Sequence, residues 1–339
     1  MVYLRYGFDD TFQGFSKTLY RQSLFEKCLS FIGWIYRLVF SRARPKEMRL
    51  DDDTNNKPRK HENIGPTAAL VAYYRSFSDI PFAKEVALEI NAEKLCEGLT
   101  VKDHALLSKA LIAFEARFKS IDVVLQQYTD VTHYIEIPAG FSTRGLAMTM
   151  GNQPISYVEC DFDPILQEKQ KLVARLLVHK NEQPIPNLRY QAASILDGEQ
   201  LDRVASQLTA GRVAIITEGL ISYLTPQEKI IASQNVRKVL AARGGVWIVS
   251  DLTRLFKPDD SKAAELRNRI SATTGFSPIT GCFASIRDAK HFFTRLGFKV
   301  HDYRRSEVMD KLSTKESSGL SNRQIKQFLQ QQATFALEV

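Results

Sequence analysis

Three short segments of this 339-residue chain place an acid where an apolar run gives way to a turn. In EIPAGFSTRG, residues 136–145, Glu136 precedes Ala139-Gly140, small residues that let backbone approach a ligand and aim helix N–H groups at it. Pro138 and Ser142 stand where a GxGxxG dinucleotide loop would help itself with glycines, so the segment alone equally describes a plain tight turn. In YVECD, residues 157–161, Asp161 is placed to accept hydrogen bonds from the two hydroxyls of a ribose; a helix cap or a solvated acid is the plainer alternative. In ITEGLISYL, residues 216–224, Glu218 directly follows buried apolar sequence, which is costly without a partner. Its natural partner is a cation.

These acids need a scaffold that brings strand ends together. After Asp130, β-rich runs alternate with helical stretches: residues 133–137, 155–160, 188–193, 213–217 and 246–250, then a closing pair at 298–303 and 334–339 joined through a helix. Apolar strands with intervening helices predict a doubly wound, seven-stranded, mostly parallel sheet covered on both faces, with its ligand site at the carboxyl ends of the strands. Helix starts are signalled by Asp163-Pro164, by Thr225-Pro226-Gln227-Glu228, by Ser285-Ile286-Arg287-Asp288 and by Thr100-Val101-Lys102-Asp103. Residues 64–128 read as helices forming a cap. Residues 18–40 read as an amphipathic helix and 49–63 as a polar linker. The chain thus divides into a basic leader, 1–60, and a catalytic domain, 61–339.

The segments EIPAGFSTRG, YVECDFDPILQEK and ITEGLISYLTPQE, in that order, resemble the leucine carboxyl methyltransferase family, which includes bacterial polyketide O-methyltransferases. The family pattern is E-x-G-A-G-x-D-T-R, then an acidic strand end followed by x-P-x-x-x-x-x-K, then E-G-x-x-x-Y-L. Upstream, GPTAALVAYYRSF and EARFKSID are similar to the family's N-terminal helical region, so the likeness spans about residues 64–339. It implies a class I, Rossmann-like methyltransferase fold and S-adenosyl-L-methionine as cofactor. Carried over by position, Arg117 and Arg75 would hold the cofactor's carboxylate, and Ala139 and Gly140 would underlie its methionine moiety. Asp161 would hold the ribose, Glu218 would face the amino group, and Glu136 belongs to the same cofactor-binding set. Ser194-Ile195 stands where many members have Asp-Leu against the adenine, leaving a hydroxyl in place of a carboxylate. Tyr223 is the candidate for orienting an acceptor, with packing of its ring on the following helix as the alternative. Arg144 reads as a structural salt bridge to the loop.

The implied activity is O-methylation of a carboxylate or hydroxyl on a small molecule. Two other readings compete: a methyltransferase-like module that binds without catalysis, which Pro138 and Ser194 favour, and an NAD-dependent oxidoreductase, which the missing GxGxxG disfavours. The formal charge of +8 admits nucleic acid, membrane or anionic substrate as partner. Residues 1–60, however, hold 12 Lys/Arg and 7 Asp/Glu, a net of +5, which leaves +3 for the other 279 residues and removes the main support for nucleic-acid binding. Residues 18–44 mix aromatic and arginine side chains and suit either a packing helix, the favoured reading, or peripheral membrane contact. Four scattered cysteines without a CxxC, and histidines without HxH or HxxxH, predict neither disulfide framework nor metal site and fit a reducing, cytoplasmic setting. The start MVYLRYGFDD lacks a secretory pattern, and the most apolar window, residues 28–36, is well short of the about 20 needed to span a membrane. The oligomeric state is not legible.

Overall fold

The computed structural model describes residues 65–100, 103–150, 154–180, 182–254, 264–265, 268–269, 271–272 and 281–339. The helix expected at 18–40 and the linker at 49–63 lie outside the described residues. Each strand alternates its side chains between two apolar faces, as a sheet buried on both sides requires. In β4 (Arg212–Thr217), Val213 and Ile215 face one side, Ala214 and Ile216 the other. The other strands are β1 (Val131–Glu136), β2 (Ser156–Asp161), β3 (Leu188–Ala192), β5 (Gly245–Val249), β6 (Lys299–Arg304) and β7 (Ala333–Glu338). They form one sheet of order β3-β2-β1-β4-β5-β7-β6, in which β7 alone runs antiparallel to its neighbours. This is the seven-stranded, mostly parallel sheet expected.

Before β1 come α1 (Gly65–Arg75), α2 (Ala83–Glu89), α3 (Ala92–Leu95) and the long α4 (His104–Leu125). Between strands lie α5 (Arg144–Thr149), α6 (Asp163–His179), α7 (Gly198–Ser206), α8 (Pro226–Arg243), α9 (Ile286–Arg295) and α10 (Asn322–Leu329). Leu201 and Val204 of α7, Val236 of α8 and Phe293 of α9 pack one sheet face around Trp247, whose indole N–H donates to Thr217 Oγ1 at 2.8 Å. Ile121 of α4, Leu146 of α5 and Leu172 of α6 cover the other. The cap rests on α4, where Leu70 and Tyr74 of α1 meet Leu106, Ala110 and Leu111.

Helix ends follow local chemistry, with two adjustments. Thr225 and Glu228 form the predicted capping box of α8, and Ser285 caps α9 by accepting from the Asp288 N–H at 3.1 Å. The cap of α4 is Asp103 rather than Thr100, because its carboxylate accepts from the Leu106 N–H. Asp163 is likewise not a cap but the first helical residue of α6. The N-cap is Phe162, whose N–H is taken by Asp161 Oδ1 at 2.8 Å. Among the described residues no helix is long and apolar enough to cross a membrane, and no cluster of His, Cys, Asp and Glu could hold a metal ion.

Candidate functional site

The carboxyl ends of β2, β1 and β4 lie side by side in the sheet and carry the sequence-predicted acids, with the end of β5 next to them. The turn leaving β1 is fastened to β2: Ala139 N–H donates to Cys160 O at 2.8 Å and Gly140 N–H to Asp161 Oδ2 at 2.7 Å. Gly140 has φ +45, a left-handed conformation suited to glycine, and a Cβ there would meet only the Ala68 methyl, at 3.8 Å. Asp161 is buried, which pushes its carboxyl up against the opposing pull of its two backbone donors.

Glu218, at the tip of β4, does find cations. Its Oε1 accepts from Arg75 Nη2 and, at 2.6 Å, from Arg117 Nε; its Oε2 accepts from Arg144 Nη2 at 3.2 Å. Burial alone would raise this carboxyl, yet the three guanidinium groups hold it well below the usual carboxylate range. The network extends on both sides. Arg117 Nη1 reaches Asp251 Oδ2 at 2.9 Å, and Asp251 Oδ1 takes Arg305 at 3.3 Å. Arg144 bonds Glu136 at 2.6 Å and Asp122 at 2.7 Å while its guanidinium lies 4.0 Å from the Phe118 ring centre. Four arginines, 75, 117, 144 and 305, therefore face four carboxylates, 122, 136, 218 and 251, and the charges of this network balance.

Arg75, Arg117, Glu218, Ala139, Gly140 and Asp161 thus occupy one edge of the sheet or the helices packed beside it. Glu136 is fully buried, with both oxygens taken by Arg144 and by the Tyr157 hydroxyl at 2.8 Å, so it anchors the turn from below. Past β3, Ser194 Oγ accepts from the Leu196 N–H at 3.2 Å, and Ile195 has its side chain in the core and its carbonyl bonded to Asn235. Tyr223 ends a short 3₁₀ turn, Ile221–Tyr223, after β4. Burial, with the Asp251 charge adding, pushes its phenol up to about 12, so it stays protonated near neutrality. Arg144 is the salt bridge expected of it, though to a wider set of acids.

Sequence reasoning missed Asp251. The signal was available, since VWIVSD sets an acid just past an apolar strand as VAIITE does. Asp251 also has φ +63, unusual for a non-glycine residue and a mark of a constrained strand end. Asp122, Tyr157 and Arg305 were missed as well, and only the packing of distant segments reveals them.

No family model and no curated protein sequence matches the chain. Among solved structures, a DUF574 family protein from Streptomyces avermitilis is similar at TM-score 0.52 and 16% identity, covering 80% of this chain and 96% of that one. A SAM-dependent methyltransferase from Anabaena variabilis aligns at TM-score 0.41 and 13% identity, over 66% of this chain and 84% of its own. The structure of PigF with SAH aligns at 0.43 and 10%, over 76% and 70%. The first likeness shows the fold.

Proposed function

We propose that the protein is an S-adenosylmethionine-dependent O-methyltransferase acting on a carboxylate or hydroxyl of a small molecule in a reducing compartment such as the cytoplasm. The observation that carries this reading is the alternation of charge at the strand ends. Arg75 and Arg117 beside Glu218 and Asp251 match the carboxylate and ammonium of an amino-acid moiety, within the same sheet edge as the Gly140 turn and Asp161. The residues fit the cofactor: Arg75 Nε is buried with no hydrogen-bond partner among the described residues, and Gly140 has no side chain at its left-handed turn, φ +45. Asp161 keeps lone pairs beyond its two backbone bonds with which to accept from ribose hydroxyls.

When bound, the cofactor supplies a methyl group already activated on a sulfonium. What remains for the chain is to position the acceptor and exclude water. A carboxylate acceptor needs no base. Tyr223, protonated near neutral pH, donates a hydrogen bond that orients the acceptor oxygen rather than removing its proton.

Calorimetry with S-adenosylhomocysteine tests the reading, with Asp161→Asn expected to weaken binding by about tenfold through loss of a charged acceptor. Methyl transfer is then followed from S-adenosylmethionine labelled in the methyl group. Alkaline release of labelled methanol marks a methyl ester, hence a carboxylate acceptor, whereas a stable label marks an ether. Absence of S-adenosylhomocysteine binding at millimolar ligand favours the non-catalytic module, and stabilisation by NAD instead favours the oxidoreductase.

A further inference from the structure

Lys169 of α6 closes the segment YVECDFDPILQEK and is left without a role by the cofactor assignments. Its ammonium lies 2.7 Å from Glu159 Oε2 and 3.4 Å from the carbonyl oxygen of Ala139, the latter at the outer limit of a hydrogen bond. Both side chains are almost wholly buried, Lys169 at 2% and Glu159 at 0% exposure. Glu159 sits on β2 directly opposite Glu136 on β1, so two acids stand side by side, Glu136 held by Arg144 and Glu159 by Lys169. The helix that follows the turn also approaches this pair: a Cβ on Gly145, in the first turn of α5, would lie 2.5 Å from Glu159 Oε1.

The turn after β1 and the start of α5 therefore both lie close against the Glu159–Lys169 pair. A buried ion pair adds little stability over an apolar pair of the same volume, so stability alone does not explain one here. Its distinguishing act is the contact from Lys169 to the Ala139 carbonyl. That contact puts a cation on a peptide held on both sides by backbone donors, the Ser142 N–H to the Ala139 carbonyl at 2.9 Å and the Gly140 N–H to Asp161 Oδ2 at 2.7 Å.

We propose that Lys169, seated on Glu159, is a positioning residue that sets the Ala139–Gly140 peptide for the amino-acid end of the cofactor; this rests on the functional reading above. Burial pushes the Glu159 carboxyl up to about 7, so removal of Lys169 leaves an acid that can take up a proton and the variant can fold.

The test compares wild type, Lys169→Met and the apolar pair Glu159→Leu/Lys169→Met, each titrated with S-adenosylhomocysteine and with 5′-methylthioadenosine, which lacks the amino-acid moiety. Thermal midpoints are recorded in parallel. Loss of one charge-assisted contact predicts a Kd for S-adenosylhomocysteine raised by about tenfold in both variants. Methylthioadenosine affinity should stay at the wild-type level, and the apolar pair should recover the thermal midpoint without recovering affinity. The proposal is overturned if the apolar pair restores S-adenosylhomocysteine affinity along with stability, if both ligands weaken equally, or if neither variant weakens either ligand. Wild-type protein that binds no S-adenosylhomocysteine overturns the functional reading and this inference with it, whereas wild-type binding with unaltered variants overturns this inference alone.

Discussion

Glu218 and Glu159 are buried carboxylates on neighbouring parts of one sheet, and their surroundings push them in opposite directions. Glu218 is outnumbered by guanidinium groups, and its folded-state pKa falls well below the ordinary 4.5 of a glutamate despite burial. It contributes stability that is complete above pH 4.5 and lost as pH falls through the folded value. Glu159 is dominated by burial, partly offset by Lys169, and sits at about 7 against 4.5 unfolded. The folded state then binds the extra proton, so its contribution to stability declines as pH rises from about 4.5 to about 7. Denaturant titrations separate the two. At pH 7, Glu218→Gln should cost about 3–5 kcal/mol, because three arginines lose a buried partner, with the deficit shrinking in acid. Glu159→Gln should gain on wild type steadily across the window between the two Glu159 values; equal slopes would remove the assignment. At this scale the sequence showed Glu218, since an acid after VAIIT demands a cation, and it suggested Arg75 and Arg117 through the resemblance. It could not show that Arg144 joins Glu136 to Glu218, because that contact depends on how α5 tilts over two strands.

Elements were legible where side-chain period and backbone chemistry agree. All seven strands form where apolar alternation placed them, because β-branched and aromatic runs between turn residues have few other stable arrangements when helices cover both faces. The cap of α8 was equally readable: Thr225 and Glu228 satisfy each other's backbone N–H groups reciprocally. Thr225→Ala should therefore cost about 1 kcal/mol, seen as a lower urea midpoint at an unchanged slope. A shift in slope instead would mean that the box holds more than the helix end. The α6 start was misplaced by one residue for a physical reason. Asp-Pro is a good cap signal, but Asp161 already bonds the Phe162 N–H, so the helix begins one position earlier than the signal implies.

Across the whole chain, charge and site separate. The arginine network runs from Arg75 to Arg305 and pairs four cations with four anions, with the Asp161 carboxyl beside it held by backbone N–H groups instead. Residues 1–60 instead carry +5 of the total +8. The described residues all fall within one compact unit, 59–339. A chain restricted to residues 59–339 contains every residue proposed to hold the cofactor and both apolar faces of the sheet. It should bind S-adenosylhomocysteine with the affinity of the full chain and gain the same thermal stabilisation from it. If affinity instead collapses while the shortened chain still unfolds cooperatively, the basic leader supplies part of the site, and the balance of arginines and carboxylates no longer accounts for cofactor recognition.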